Sequence, residues 1–164
     1  MRPAVQTDMP MQAADDILVV SNDAFFGQEV QERCGGTHEL HALYRIRDLL
    51  SVERGPSAVA LVDIDSFGGI SCCFDALRAV RRIAPHRPVM IVSRSFRYDD
   101  FSLERAPVCD ASLAWPSGTE SLLAGISVAL ANNRVFQQRN VVVAETAYDA
   151  GPRVDAASMP VAAE

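Results

Sequence analysis

Ala58-Val59-Ala60-Leu61-Val62-Asp63-Ile64-Asp65-Ser66-Phe67-Gly68-Gly69 decides the fold. Its opening residues, Ala58 to Val62, are a continuous apolar run too short for a helix, the pattern of a strand buried on both faces at the centre of a parallel sheet. The run ends on a carboxylate, followed by a loop with paired glycines. In open α/β sheets the chemistry collects at the carboxyl ends of the strands, so Asp63 stands where a functional acid would stand. The same position also suits an Asp that caps the next helix or turn.

The flanking sequence repeats this pattern. Upstream, Ile17-Leu18-Val19-Val20 is a second short apolar run, and Ser21-Asn22-Asp23 follows with residues suited to a turn and a helix cap. A helix is expected from about Ala24, with Phe26, Val30 and Arg33 or Cys34 at helical spacing and Gly35-Gly36 as its stop. Thr37 to Leu40 reads as an edge strand, and Ala42 to Leu50 as a short helix ended by Gly55-Pro56. Downstream, Ile70, Cys73, Phe74, Leu77, Val80 and Ala84 line one side of a helix. Arg78, Arg81 and Arg82 are placed on its solvated side and Arg87 just past its end, with Pro85 and Pro88 closing it.

Val89 to Val92 is a further buried-type strand running into Ser93-Arg94-Ser95. A polar helix is expected over Tyr98 to Arg105, a short strand over Ala111 to Ala114, and a last helix from Gly118 or Thr119 to Gln137, with Leu122, Ile126, Ala129, Leu130 and Asn133 on its inner face. Strand and helix thus alternate five times, which predicts an α/β fold: a five-stranded, doubly wound parallel sheet. Right-handed crossovers bring Asn22, Asp23, Asp63, Ser93 and Trp115 to one edge of it. The expected organisation is a flexible segment over 1–14, one domain over 15–138 and a flexible tail over 139–164.

Composition limits the function classes. About half of the 164 residues are hydrophobic, enough for a packed core. No run approaches a membrane span and Met1 to Asp16 lacks a signal-peptide core, so the expected location is the cytoplasm. The net charge is −6, and every basic residue is an arginine; direct nucleic-acid binding is not expected. Cys34, Cys72, Cys73 and Cys109 lack zinc spacing and read as buried apolar residues. His38 and His41 have no third ligand at matching spacing and read as surface residues.

From Asp16 to Gln138 the chain resembles the response-regulator receiver domain of two-component signalling. The resemblance rests on Ile17 to Asp23 as the first strand and its acidic turn, Leu61-Val62-Asp63-Ile64 with Gly68 as the phosphoacceptor strand and loop, Pro88 to Ser93 as the hydroxyl-bearing strand, and Cys109 to Pro116 as the last strand. It implies Asp63 as phosphoacceptor and Ser93 as the hydroxyl, with Mg²⁺ held beside them.

The departures lie in the same pocket. Ser21-Asn22 replaces the family's acidic pair, with Asp23 one place later, so any Mg²⁺ site is weakened. Trp115 stands where the family has its lysine, and an indole N–H does not replace a cation. Ser112 lies near the place of the rotating aromatic. These residues predict a pseudo-receiver: non-enzymatic, without a cofactor, binding a protein such as a histidine kinase or another signalling protein, or a second copy of itself. The resemblance implies that the face from Arg94 to Gln137 carries the partner contacts, with Arg94, Arg97, Leu103 and Ser112 as the expected contact residues. Two other readings remain open here: a working phospho-receiver using Asp63 with Mg²⁺, and a flavodoxin-like small-molecule binder at the same sheet edge.

Overall fold

A computed structural model describes residues 14–34 and 36–149. The five strands are β1 (Asp16–Val20), β2 (Glu39–Leu43), β3 (Val59–Asp63), β4 (Val89–Ser93) and β5 (Ala111–Ala114). All pairings are parallel, in the order β2-β1-β3-β4-β5. The α-helices are α1 (Phe26–Cys34), α2 (Ile70–Ile83) and α3 (Thr119–Asp149). Short 3₁₀ helices occupy Ile46–Leu50, Ile64–Phe67 and Leu103–Arg105.

The apolar runs of β1, β3 and β4 explain the central position of these strands. Alternate side chains serve opposite faces of a strand. Ile17, Val19, Val59, Leu61, Met90 and Val92 therefore pack beneath α1 and α3, against Phe26, Val30, Leu122 and Ile126. Leu18, Val20, Ala60, Val62, Val89 and Ile91 face the other way, onto Leu49, Leu77 and Val80. Burial on both faces is what an uninterrupted apolar strand requires, and each such side chain stabilises the fold by roughly 1.5–3 kcal/mol.

Several expectations are corrected. The helix expected over Ala42–Leu50 is shorter and of another kind: β2 extends to Leu43, because five residues pair in register with β1 from Asp16↔Glu39 to Val20↔Leu43, and a five-residue 3₁₀ helix follows over Ile46–Leu50. Over Tyr98–Arg105 no α-helix forms. Asp100 exchanges both backbone hydrogen bonds with Ser112 (2.8 and 2.9 Å), which holds this segment extended until the turn at Leu103–Arg105. Ile70 and Phe74 of α2 are exposed rather than inward. The helix α3 continues through Asp149, past the expected end at Gln137 and across the expected start of the tail. Ala14 is buried, while the rest of the expected leading segment, residue Gly35 and positions 150–164 lie outside the described residues.

The arginines are also corrected. Arg81 is 2% exposed and grips Asp110 with both ends of its guanidinium, at 2.7 and 2.8 Å. Asp110 accepts in addition from the Val89 N–H (2.8 Å) and from Asn133 (3.3 Å), so one carboxylate joins α2, β4, the entry to β5 and α3. Burial raises its pKa above the ordinary value, and Arg81 and these hydrogen bonds pull it back. Arg87 is buried too, its terminal nitrogens donating to carbonyls of Val52, Arg54, Gly55 and Ala58, with its pKa lowered by desolvation. Helical spacing on α2 put Arg81 outside only because a sequence cannot display the acid waiting one strand away.

Removing one partner of a buried pair strands the other charge. Asp110→Ala should lower the unfolding free energy by about 3–5 kcal/mol in urea titrations. The double change Arg81→Met with Asp110→Leu should cost less than that single change; an equal or larger loss would contradict this account of the pair.

Candidate functional site

The ladder registers build the carboxyl edge of the sheet. Val20 pairs with Val62, which sets the next residues, Ser21 and Asp63, side by side. Both are buried, and the Ser21 hydroxyl donates to Asp63 Oδ2 at 2.8 Å. The same hydroxyl accepts from the Asp23 N–H (2.9 Å), and Asp23 Oδ1 accepts from the Phe25 N–H (2.9 Å) at the entrance to α1. Asp23 is therefore a local cap, serving the donors a helix start leaves unpaired. Asn22 is exposed and takes part through its backbone, its N–H donating to Ser66 Oγ (3.1 Å), which in turn donates to the Asp63 carbonyl (2.9 Å).

The loop after Asp63 closes on β4. Ser93 Oγ donates to Asp65 Oδ1 and the Arg94 N–H to Asp65 Oδ2, each at 2.6 Å. The 3₁₀ turn that carries Asp65 is released at Gly68 and Gly69, whose φ angles of 94° and 90° are costly for any residue with a Cβ. Beneath it, burial together with Cys72, Asp63 and Asp65 pushes the Cys73 thiol up to about 11. Burial and Asp110 push the Cys109 thiol up to about 12, and burial raises the Cys34 thiol. These three buried cysteines behave as the expected apolar residues; Cys72, by contrast, is exposed.

Trp115 is brought to this edge by its backbone, its N–H donating to the Ser93 carbonyl (3.0 Å), but its side chain turns away into the core between α1 and α3. The indole lies 5.0 Å from Phe26 and under the Arg33 guanidinium (4.7 Å), and its Nε1–H donates to Glu29 Oε2 at 2.7 Å. The peptide bond to Pro116 is cis. Trp115 is thus a core residue, and its grouping with a pocket around Asp63 is corrected. The Arg94 side chain also reaches Glu29, at 3.6 Å.

Magnesium calls for near-octahedral oxygen coordination from carboxylates with free lone pairs. At this edge Asp63 Oδ2 holds a serine, Asp23 Oδ1 caps a helix, and both oxygens of Asp65 are engaged. An ion here would rest on Asp63 Oδ1, Asp23 Oδ2 and water alone. Among the described residues, the one group of three ligating side chains is Asp16, Glu39 and His41, at the opposite edge of β1 and β2. That group corrects the expectation for His41, which is half-buried there with the Arg54 guanidinium 3.8 Å from Asp16 and 3.3 Å from the imidazole. His38, also half-buried, pairs with Thr37 Oγ1 (2.8 Å). The carboxyl edge brings together three carboxylates, Asp23, Asp63 and Asp65, in a chain without lysine.

Neither a protein-family model nor a curated protein sequence matches the chain. Solved structures do. The chain superposes on a pilus-assembly protein, CpaE, of Burkholderia thailandensis (19% identical, covering 71% of this chain and 98% of that one, TM-score 0.53). It superposes on the chemotaxis response regulator CheY4 of Vibrio cholerae (18%, 72% and 99%, 0.51) and on the response regulator StyR (15%, 86% and 72%, 0.52). The chain has the response-regulator receiver fold. Its carboxyl edge is tied together by its own serines and aspartates.

The expected contact residues separate in the structure. Arg97 is exposed and Leu103 half-buried, and Arg94 is exposed but tied to Glu29. Ser112 is fully buried and so cannot be a contact; its hydroxyl accepts from Arg105 Nη1 (2.9 Å), whose guanidinium lies 5.5 Å from the Phe96 ring. Sequence reasoning placed Ser21 at this edge without seeing that it holds Asp63, and it missed Asp65 there. The pairing of β1 with β3 was the signal for Ser21, whereas nothing local marked Asp65 as the acid that would turn toward β4.

A hydrogen bond to a charged acceptor contributes roughly 1.5–3 kcal/mol. Ser21→Ala should cost that much in urea unfolding, whereas Asp63→Asn, whose amide oxygen still accepts from Ser21, should cost less. A neutral Ser21→Ala would show that the serine does not hold Asp63.

Proposed function

We propose that the chain is an atypical receiver module, a pseudo-receiver, that acts in two-component-type signal transduction by binding another protein, with phosphorylation of Asp63 weak or absent. The partner is a histidine kinase or another signalling protein, and the chain itself is not an enzyme. The observation that carries this reading is the hydrogen bond from Ser21 to Asp63 Oδ2. It occupies the place where the resemblance puts a metal-binding acid, in a chain without a single lysine.

Two further features support it. The hydroxyl of Ser93, which a phosphorylated receiver would turn toward its phosphoryl group, is spent on Asp65 at 2.6 Å. Asp65 in turn fixes the Arg94 N–H, so phosphorylation at Asp63 would have to break contacts that the ground state already satisfies. No helix among the described residues is long and apolar enough to cross a membrane.

The test is intact-mass analysis after incubation with acetyl phosphate and Mg²⁺, beside an Asp63→Ala control. The expected result is no adduct on either protein. A single added phosphate that the Asp63→Ala protein lacks would make the chain a working phospho-receiver and overturn the proposal.

A further inference from the structure

The crossover from β4 to β5 carries one 3₁₀ turn and no α-helix, so on that side α2 is left uncovered. There a cavity of about 1030 Å³ opens between α2, Pro107 and the far half of α3. Arg47, Asp75, Arg78, Arg82 and Phe136 line it. Arg47, Arg78 and Arg82 are exposed, and among the described residues none of them forms an ion pair, unlike Arg45, Arg54, Arg81, Arg94 and Arg105.

The groove has an apolar component as well. Phe136 forms part of its wall, with the neutralised Arg81 guanidinium 3.8 Å from the ring. Phe74 lies outside the lining, four residues before Arg78 on α2, with the Arg78 guanidinium 5.7 Å from its ring. Cations around an aromatic wall, with Asp75 the one acid among the described lining residues, match a ligand that is both acidic and apolar. The space holds about two turns of an α-helix, which is roughly 10 Å across and rises 5.4 Å per turn.

We propose that this groove docks an acidic amphipathic helix of a partner protein, its carboxylates on Arg47, Arg78 and Arg82 and its apolar side chains on Phe136 and Pro107. The proposal rests on the reading that the chain works by binding a protein, and it names the chemistry of that partner. A polyanion such as duplex DNA fits less well, because it meets the field of the whole molecule, which is −6, whereas a short acidic helix meets chiefly the groove. Opposite charge on the two surfaces also gives a fast, salt-sensitive association.

The probe is a fluorescent synthetic helix with leucine at positions i, i+3, i+4 and i+7 and glutamate elsewhere. Its companions are a version with lysine for every glutamate and a duplex DNA oligonucleotide. Anisotropy titrations should show saturable binding of the glutamate helix, weakening as salt rises, and no saturable binding of the lysine helix or the DNA. Arg78→Glu with Arg82→Glu should weaken it at least tenfold. Both arginines are exposed, so circular dichroism is expected to show the double variant folded. Backbone amide shifts should map binding to Arg47, Arg78, Arg82 and Phe136.

Absence of saturable binding, equal binding of the lysine helix, or indifference to the double variant in the folded protein would each overturn the proposal. Saturable binding of the DNA that the double variant abolishes would replace the partner with a nucleic acid. The titration is repeated on Asp63→Asn, expected to bind equally. A phosphate adduct at Asp63 in the mass experiment would end the proposed function and leave the groove result standing, whereas failure of the titration would end only the groove.

Discussion

Four elements of this fold meet on one carboxylate. Asp110 receives two hydrogen bonds from Arg81 of α2, one from the first residue of β4 and one from Asn133 of α3, all in a site closed to water. Desolvating an ion pair is expensive, and the expense is offset only where geometry is good and the remaining lone pairs are filled. Here Oδ2 takes three donors and Oδ1 the fourth, and the arrangement ties α2 and α3 to the β5 side of the sheet. It also removes Arg81 from the surface charge, so that the groove above it owes its positive character to Arg47, Arg78 and Arg82.

The opposite end of the strands obeys the same rule with weaker groups. Each carboxylate at the carboxyl edge has found an internal donor: Ser21 for Asp63, the Phe25 N–H for Asp23, Ser93 and the Arg94 N–H for Asp65. A buried polar group left without a partner is costly, so loops that supply partners are held in place by them.

The parts legible in the sequence were those written in local pattern. The runs at Ile17–Val20, Ala58–Val62 and Val89–Val92 gave three strands and their burial on both faces, and Thr119 gave the start of α3. The segments misread as α-helices, Ala42–Leu50 and Tyr98–Arg105, have helical spacing of apolar residues or polar composition, yet each lies next to a strand whose backbone it pairs with. Pairing across sequence distance overrode the local preference. Asp63, Ser93 and Asp23 were correctly placed at the edge from strand ends alone. The partners that define their chemistry, Ser21 and Asp65, become visible only through strand register and loop closure, as does the rotation of Trp115 into the core.

The most direct test of a closed carboxyl edge is a titration with Mg²⁺ followed by two-dimensional amide NMR. The account predicts that the amides of Ser21, Asp63, Asp65 and Arg94 show no saturable shift at millimolar Mg²⁺, since Ser21 already donates to the Asp63 carboxylate and Ser93 and the Arg94 N–H to that of Asp65. A saturable shift confined to these residues, with the Ser21–Asp63 contact opening as the ion binds, would contradict it.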